Sequence, residues 1–338
     1  MMTPQPFIIA EIGVNHNGSV AMARQLIDAS QAAGADAVKF QTYQADLLAA
    51  GNPEKVDYQL KNEKSTRSHF EMLRSLQLSK DDHLELFSYC QSVGVEFLST
   101  PYDPESARFL AELGVGRIKT ASADVIDIPL HETISALGLD VIISTGMATL
   151  GEIEECIDLY KDSSCGIILM HCTSNYPCSD QSANLSVLTT LSQCFGLSVG
   201  YSDHSSDGLA AVLAATLGAT VIERHVTLSR DLEGPDHAAS MEMAEFSRYC
   251  SSLRRVQSLL GSSRKGVQAE ELSMRNHSRK SATLAVSMNA GQRLERNHLI
   301  MSRPGTGLSW REVQCLIGRH VRVNLSHGHQ VQWNDFVP

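Results

Sequence analysis

Apolar and polar residues alternate in blocks along about the first 260 residues of the chain. A segment with helical spacing of apolar residues ends at a glycine, and a short run of Val, Ile, Leu or Phe follows and ends in polar residues. Glycine suits a helix end because it adopts the left-handed backbone conformation without a Cβ clash. The runs that follow this rule span residues 34–41, 94–100, 114–122, 138–145, 196–202 and 218–225.

Two further apolar runs, at 7–13 and 166–172, bring the number of predicted strands to eight. Eight strands that alternate with helices indicate an α/β fold of the (β/α)8 TIM barrel type, with an open doubly wound sheet as the alternative. The predicted helices are Ser19–Ala33, Lys80–Val93, Pro104–Leu113, Pro129–Leu137, Gly151–Tyr160, Ser186–Cys194, Asp207–Leu217 and Met243–Leu260. The segment 42–79 is too long for a simple loop and predicts an insertion over the barrel mouth.

The pattern changes after Leu260. We expect residues 1–261 to form the barrel, 262–280 to form a polar and basic linker, and 281–338 to form a small, mostly-β domain. The last segment contains a weak internal repeat, in which Val286, Gly291, Leu294, Asn297 and Leu299 recur 37 positions later as Val323, Gly328, Val331, Asn334 and Phe336. A repeat of this kind predicts two similar halves that pack on each other.

Composition narrows the functional class. The formal net charge of −10 argues against a nucleic-acid-binding surface, so any positive partners for an anionic ligand must be concentrated locally. No apolar run approaches the ~20 residues that cross a membrane, and the N-terminal residues lack a basic region followed by an apolar core. The eight cysteines show no Cys-x-x-Cys pair and are typical of reduced thiols. We therefore predict a cytoplasmic protein without a membrane or nucleic-acid partner.

Two histidines stand at the ends of neighbouring predicted strands. His204 and His225 belong to one strand-helix-strand unit, in which parallel strands place their carboxyl ends side by side. They are either hydrogen-bonded structural histidines or metal ligands. The nearby Asp203 and Glu223 favour the metal site. Two imidazoles that leave several coordination positions open suit Mn²⁺, Fe²⁺, Co²⁺ or Zn²⁺ better than Mg²⁺.

Polar side chains also follow the other strands, where barrel enzymes place their chemistry. Lys39 and Lys119 supply positive charge, and they either make ordinary ion pairs, form a Schiff base, or bind a phosphate or carboxylate. The last interpretation is favoured by hydroxyl groups at the same strand ends, those of Thr100, Ser122, Ser144, Ser174 and Ser202. Glu11 and Asp124 are either candidates for acid-base chemistry or members of caps and salt bridges.

These residues occur in motifs that resemble those of the sialic acid synthase family, also called N-acetylneuraminate synthases, which includes legionaminic and pseudaminic acid synthases. The resemblance covers nearly the whole chain. The motifs are Ala10-Glu-Ile-Gly-Val-Asn-His16, Val38-Lys-Phe-Gln-Thr42, Phe97-Leu-Ser-Thr-Pro101, Ile143-Ser-Thr-Gly-Met147, His171-Cys-Thr-Ser-Asn-Tyr-Pro177, Gly200-Tyr-Ser-Asp-His204, Glu223-Arg-His-Val-Thr227, Gly234-Pro-Asp-His237 and Arg303-Pro-Gly-Thr-Gly307.

The resemblance implies a barrel followed by an antifreeze-like domain, and a homodimer in which that domain reaches over the partner's barrel. It implies condensation of phosphoenolpyruvate with an N-acylated mannosamine-type aldehyde, with release of phosphate. It assigns His204 and His225 to a divalent metal, typically manganese. Phosphoenolpyruvate is then expected to be bound by Lys39, Thr100, Lys119, Ser122, Ser144, Ser174 and Ser202, and the acylaminosugar by Gln41, Tyr176, Asp236 and the partner's copy of Arg303. Glu11, Asp124 and Lys39 are the expected catalytic residues.

Two positions depart from the family's pattern. Asp124 stands where family members often have glutamate, and Ser174 stands where some have asparagine. The alternatives to the synthase are a related barrel that makes 2-keto-3-deoxy sugar phosphates, as 3-deoxy-octulosonate and 3-deoxy-heptulosonate phosphate synthases do, and a Schiff-base aldolase. An alternative of another class is a catalytically silent sugar-binding protein. The polar ring at the strand ends argues against this last one.

Overall fold

The computed structural model describes residues 5–48 and 68–337. The chain forms two compact units, one that ends at Gly261 and one that begins at Ser262. Each unit has its own buried apolar core. The predicted insertion at 42–79 is described only at its two ends, because residues 49–67 lie outside the described part of the chain.

The first unit is a barrel of parallel strands. The strands lie side by side in the order β3-β2-β1-β8-β7-β6-β5-β4, and β3 and β4 at the two ends of this order also pack against each other. Their bounds are β1 Phe7–Gly13, β2 Ala37–Thr42, β3 Glu96–Pro101, β4 Arg117–Thr120, β5 Asp140–Ser144, β6 Ile167–His171, β7 Ser198–Asp203 and β8 Val221–Thr227. A short strand, β9 (Met241–Glu242), extends β8. The predicted barrel is thus confirmed, and the open sheet is wrong.

Helices follow the strands and cover the outside of the barrel. Their bounds are α1 Val20–Ala33, α2 Ala45–Leu48, α3 His69–Leu76, α4 Lys80–Val93, α5 Pro104–Leu113, α6 Ile128–Leu137, α7 Leu150–Asp158, α8 Asp180–Ala183, α9 Val187–Phe195, α10 Leu209–Thr216 and α11 Met243–Leu260. Local sequence explains where they begin and end. The α4 helix starts at a capping box formed by Ser79 and Asp82 and stops at the left-handed Gly94.

The interior of the barrel has an apolar layer beneath a polar one. The apolar layer is the buried cluster of Ile9, Ala37, Leu98, Ile142, Met170 and Val221. Two residues further along the same strands come Glu11, Lys39, Thr100, Ser144, Cys172 and Glu223, which all line one cavity. Because side chains alternate between the two faces of a strand, a shift of two residues keeps the same inward direction. The polar layer therefore lies at the carboxyl ends of the strands.

The second unit is small and built from a pair of antiparallel strands and several turns. Strand β10 (Ser281–Leu284) pairs with β11 (Leu299–Ser302), and α13 (Trp310–Val313) is its short helix. The two halves of the predicted repeat match, since the 3-10 turns Arg296–His298 and Trp333–Asp335 are 37 positions apart. Helix α12 (Leu272–Ser278) occupies part of the segment that we predicted as a linker. The antifreeze-like character of this unit stays a prediction.

None of the helices in the described residues combines the length and apolarity that crossing a membrane requires.

Gly18 allows α3 to pack closely against the loop that follows β1. Its backbone has a φ of +74°, and a Cβ at this position would lie 2.5 Å from the main-chain oxygen of Ser75 in α3. Gly94 has nearly the same φ, +77°, but a Cβ there would have no neighbour within 4 Å. Substitutions at these two glycines therefore distinguish the free-energy cost of the left-handed backbone conformation from the cost of steric crowding.

We expect Gly94→Ala to lower the free energy of unfolding by about 1–2 kcal/mol, the cost of a left-handed non-glycine residue. We expect Gly18→Ala to cost at least about 1 kcal/mol more, because the added methyl group must displace α3. Urea denaturation of both variants measures the difference. Equal losses would show that α3 does not press on Gly18.

Candidate active site

A cavity of about 470 Å³ opens at the carboxyl ends of the barrel strands. It contains the sequence-predicted site residues Glu11, Lys39, Gln41, Thr100, Lys119, Ser122, Ser144, Ser174, Tyr176, Ser202, His204, His225 and Asp236. Its other lining residues include Glu223, Cys172 and several apolar side chains. This volume lies within the ~300–1,000 Å³ range of small-molecule sites.

Two lysines and two glutamates meet at the bottom of the cavity. The Lys39 ammonium group lies 2.7 Å from Glu11 Oε2 and 3.8 Å from Glu223 Oε2, and it donates to Thr100 Oγ1 at 3.0 Å. The Lys119 ammonium group lies 3.2 Å from Glu223 Oε1. All four charged side chains are at most 5% exposed. Glu223 therefore joins both lysines into one buried group.

The two glutamates of this group differ in how easily they take up a proton. Burial raises the pKa of Glu11 to about 7, against the lowering effect of Lys39. Burial acts on Glu223 too, but the ammonium groups of Lys119 and Lys39 outweigh it and lower the pKa of Glu223 to about 2. Burial lowers the pKa of Lys39, and the two carboxylates more than reverse this, so its pKa is raised. At neutral pH Glu223 is ionised, Lys39 is protonated, and Glu11 can exchange a proton.

Hydroxyl and thiol groups form the wall beside Lys119. Lys119 Nζ donates to Ser144 Oγ at 3.3 Å, and the Cys172 Sγ lies 3.1 Å from Ser122 Oγ. The backbone N–H of Gly146 donates to Ser122 Oγ at 3.0 Å, and a Cβ on Gly146 would lie 2.5 Å from Ser174 Oγ. A side chain at Gly146 would therefore displace Ser174, Cys172 and Ser122. Ser122 and Ser144 accept hydrogen bonds from Gly146 and Lys119, so each hydroxyl proton can be directed either to Cys172 Sγ or to an anion.

His204 and His225 line the same cavity with ring centroids 5.8 Å apart, and Ser202 Oγ lies 3.3 Å from His204 Nε2. His204 Nδ1 lies 2.8 Å from the carbonyl oxygen of Thr173, which can only accept, so Nδ1 carries the proton and Nε2 keeps its lone pair. Burial lowers the pKa of His204 to about 4 and that of His225 well below its usual value. Both rings are therefore neutral, as metal ligands must be. The Tyr176 ring packs on His204 with the centroids 4.1 Å apart.

These two imidazoles fit a divalent metal. Among residues 5–48 and 68–337, no group of three or more His, Cys, Asp or Glu side chains is arranged to hold one. A bound ion would thus take two nitrogen ligands from His204 and His225 and keep its other positions open.

Apolar side chains of the insertion form the remaining wall. Leu48 of α2 and Met72, Leu73 and Leu76 of α3 line the cavity. The Tyr43 hydroxyl donates to the main-chain oxygen of Leu73 at 3.0 Å and ties α3 to the end of β2. One part of the cavity is therefore charged and hydroxyl-rich, whereas another part is apolar.

Comparisons with known proteins agree with this geometry. Residues 26–265 match the sequence profile of the NeuB family. The chain is 42% identical over 332 residues to the N,N'-diacetyllegionaminic acid synthase of Legionella pneumophila, covering 97% of this chain and 93% of that protein.

The chain belongs to the sialic acid synthase family. It is 31% identical to the pseudaminic acid synthase of Campylobacter jejuni, with 98% of this chain and 96% of that protein covered. The crystal structure of a sialic acid synthetase from Leptospira borgpetersenii in complex with citrate matches with a TM-score of 0.72 and 33% identity, over 80% of this chain and 90% of that one. The family's members are phosphoenolpyruvate-dependent synthases, so this chain is an enzyme of the transferase class.

Among the residues that the sequence assigns to the site, Asp124 does not line the cavity of the first unit. Asp124 lies in a 3-10 turn after β4, and its Oδ2 is buried without a hydrogen-bond partner among the described residues. Burial and Asp127 raise the pKa of Asp124 to about 7. Arg303 belongs to the second unit, where it is exposed and donates to the main-chain oxygen of Ser278 at 3.0 Å. Their roles stay predictions.

Sequence reasoning did not select Glu223 and Cys172 as site residues. Glu223 was noted only as a neighbour of the histidines, yet it contacts both lysines. The alternation of side chains along a strand could have identified Glu223, because it is two residues before His225 and must face the same way. Cys172 likewise follows the inward-facing Met170 by two residues.

The carboxyl group of Asp236 lines the cavity, and folding of the protein favours its protonated form. Burial raises its pKa from 3.8 to about 6. Because the folded pKa exceeds the unfolded one, the folded protein binds more protons between these values. The stability contributed at low pH is lost as the pH rises through about 6.

At pH 7.5 we expect the free energy of unfolding of the Asp236→Asn variant to be roughly 2–3 kcal/mol higher than that of the wild type, because the variant lacks the buried charge. The difference should disappear near pH 4. Urea denaturation at both pH values measures it, with Asp231→Asn, which removes an exposed carboxyl of the same loop, as the control. A difference independent of pH would show that Asp236 is not the group responsible.

Proposed function

We propose that this enzyme is a metal-assisted nonulosonate synthase that condenses phosphoenolpyruvate with an N-acylated mannosamine-type sugar and releases phosphate. The observation that carries this proposal is that one cavity contains a cationic, hydroxyl-rich group and two neutral histidines. An anion and the carbonyl group of a sugar can therefore bind in the same cavity. The names of the relatives, which are nonulosonate synthases, support the same reaction.

Phosphoenolpyruvate is assigned to the side that contains Lys39 and Lys119. Lysine binds phosphate as a point charge, and hydroxyl groups add donors. The donor groups are those of Thr100, Ser122, Ser144, Ser174 and Ser202. The raised pKa of Lys39 argues against a Schiff-base aldolase, because a lysine nucleophile needs a lowered pKa.

The sugar is assigned to the side of the histidines, Gln41, Tyr176 and Asp236. His204 and His225 would hold a divalent ion, which we propose to be Mn²⁺. When bound, this ion supplies a Lewis acid for the aldehyde oxygen of the open-chain sugar. Tyr176 packs on His204 and borders the place that the sugar must enter.

The side chains of the enzyme can direct the reaction as follows. Lys39 and Lys119 hold the phosphate while the methylene carbon of phosphoenolpyruvate bonds to the aldehyde carbon and the aldehyde oxygen takes up the proton carried by Glu11. Water then adds to C2, and Glu11, whose pKa is raised to about 7, accepts its proton. The carbon–oxygen bond to phosphate breaks, Lys39 and Lys119 stabilise the leaving phosphate, and a nine-carbon 2-keto acid remains. Asp124 is the second candidate for handling this proton.

We propose 2,4-diacetamido-2,4,6-trideoxymannose as the sugar, which would make the product N,N'-diacetyllegionaminic acid. The apolar wall of Leu48, Met72, Leu73 and Leu76 supports this choice. A deoxy sugar presents a methyl group at C6, whereas N-acetylmannosamine presents a hydroxymethyl group that such a wall leaves without a hydrogen-bond partner. The relative from Legionella pneumophila is named for the same product.

We further propose a cytoplasmic homodimer in which the second unit of one subunit covers the barrel of its partner and contributes Arg303 to bind the sugar's acyl group. The exposure of Arg303 within its own unit is compatible with this role. The antifreeze-like identity of that unit belongs to the same proposal.

A phosphate-release panel tests the function. With phosphoenolpyruvate and Mn²⁺ present, we expect release with 2,4-diacetamido-2,4,6-trideoxymannose at a kcat/KM about 10–100-fold above that with N-acetylmannosamine or the altrose epimer of the trideoxy sugar. Leu73→Gln should reduce this preference toward unity without changing the KM for phosphoenolpyruvate. No release with any sugar would contradict the synthase, and equal rates with all three would contradict the sugar assignment alone.

The metal assignment has its own test. We expect His204→Ala and His225→Ala each to abolish phosphate release and to weaken Mn²⁺ binding by at least about tenfold, because each removes half of the protein ligands. Added Mn²⁺ should restore neither phosphate release nor the wild-type affinity for Mn²⁺. Calorimetric titration with Mn²⁺ and the phosphate assay measure both effects.

His171→Ala is the matched control for these variants. His171 also stands at a strand end, is buried, and has its Nε2 2.8 Å from a carbonyl oxygen, but it does not line the cavity. Undiminished wild-type turnover in the presence of a strong chelator would overturn the metal assignment.

A further inference from the structure

A buried ion pair lies directly behind the two histidines. Asp203 and Arg224 immediately precede His204 and His225, and their side chains are 0% and 4% exposed. They do not line the cavity. Because successive residues of a strand face opposite sides, the two charged side chains point outward from the barrel while the histidines point inward.

This ion pair connects the two strands at the level of the histidines. Asp203 and Arg224 are register partners in the parallel pairing of β7 with β8. Arg224 Nη1 lies 3.2 Å from Asp203 Oδ2 and also donates to the main-chain oxygen of Asp203 at 3.2 Å. One guanidinium group thus holds both the side chain and the backbone of the neighbouring strand end.

Further donors satisfy the remaining positions of the Asp203 carboxylate. Ser205 donates to Oδ1 from its backbone N–H at 2.9 Å and from its hydroxyl at 2.6 Å. The buried Tyr249 of α11 donates to Oδ2 at 3.1 Å. The Tyr249 ring is seated against Gly208, where a Cβ would lie 2.9 Å from the ring. The carboxylate is therefore fixed from β8, from α11 and from its own loop.

A buried ion pair of this kind contributes little to the stability of the fold. Burying two charges costs free energy that their attraction often only offsets, and apolar replacements of buried ion pairs are frequently neutral. Its location is more informative than its energy. Each charged residue is bonded to its neighbour histidine through the backbone, so the distance between the strand ends constrains the distance between the two imidazoles.

We propose that Asp203, Arg224 and Tyr249 form a clamp that positions His204 and His225 for a shared divalent ion and so determines how tightly this ion binds. The proposal rests on the metal assignment made above and names residues outside the cavity as positioning residues. Groups that orient metal ligands typically change metal affinity about 10–100-fold when they are removed.

The test measures Mn²⁺ and phosphoenolpyruvate affinity of the full-length protein by calorimetric titration. We expect Asp203→Asn to weaken Mn²⁺ binding by at least about tenfold and to leave phosphoenolpyruvate binding, measured without metal, within about twofold of wild type. Arg224→Met should behave like Asp203→Asn, and Arg224→Lys, which keeps the charge, should recover part of the loss. Tyr249→Phe removes a single hydroxyl and should weaken Mn²⁺ binding about threefold or more, so it keeps the test decisive if Asp203→Asn does not fold.

Asp36→Asn is the matched control. Asp36 pairs with Arg254 of the same helix α11 at 2.7 Å, but it lies just before β2, at the amino end of the strands. We expect it to lower the melting temperature without changing Mn²⁺ affinity by more than about twofold, because it is remote from the histidines.

The outcomes separate the clamp from the proposed function. Mn²⁺ affinity unchanged in all clamp variants, or weakened equally by Asp36→Asn, overturns the clamp. A wild-type protein that binds no Mn²⁺ overturns the clamp and the metal assignment together. A wild-type protein that binds Mn²⁺ but releases no phosphate overturns the proposed function alone, and weakened Mn²⁺ binding in the variants would still support the clamp.

Discussion

The site depends on the need to pair two ammonium groups inside a closed barrel. Lys39 and Lys119 are 4% and 5% exposed, and an unpaired buried charge costs several kcal/mol. Glu223 offsets this cost for both lysines, and Glu11 adds a second carboxylate to Lys39. The positive charge needed for an anionic substrate is thus held in place before the substrate arrives. An acidic protein can thus present two buried ammonium groups to an anion at this one point.

The pairing also determines which group can change its charge. Two lysines opposite two ionised glutamates leave little net attraction for an incoming anion. Glu223 is ionised near neutral pH because the lysines lower its pKa to about 2, whereas burial raises the pKa of Glu11 to about 7. Uptake of one proton by Glu11 therefore makes the group cationic without any side-chain movement. The same proton is then available to the chemistry, which is why Glu11 suits an acid-base role better than Asp124, which does not line the cavity.

Much of this arrangement could be predicted from sequence, and the exceptions have physical reasons. The eight apolar runs that alternate with helical segments, and the glycines at the helix ends, indicate the barrel, and most strand-end residues do meet in one cavity. The importance of Glu223 was missed because a pattern shows which way a side chain faces, not which partners it meets across the barrel. Asp124 was placed in the site from its position after β4, and it lies in a 3-10 turn whose Ser122 lines the cavity while Asp124 itself does not, so its role stays a prediction. Such a turn has no periodicity to reveal it.

The alternation of strand residues has a second consequence at the ends of β7 and β8. The motifs Ser202-Asp-His204 and Glu223-Arg-His225 place cavity residues at their first and third positions and an ion-pair residue between them. Three consecutive residues of each strand thus supply two inward-facing cavity residues and one outward-facing ion-pair residue. At any other position of the strand, the ion-pair residue would no longer lie next to the histidine. Substitutions at the middle positions should accordingly be read as changes to the site, although neither side chain reaches a substrate.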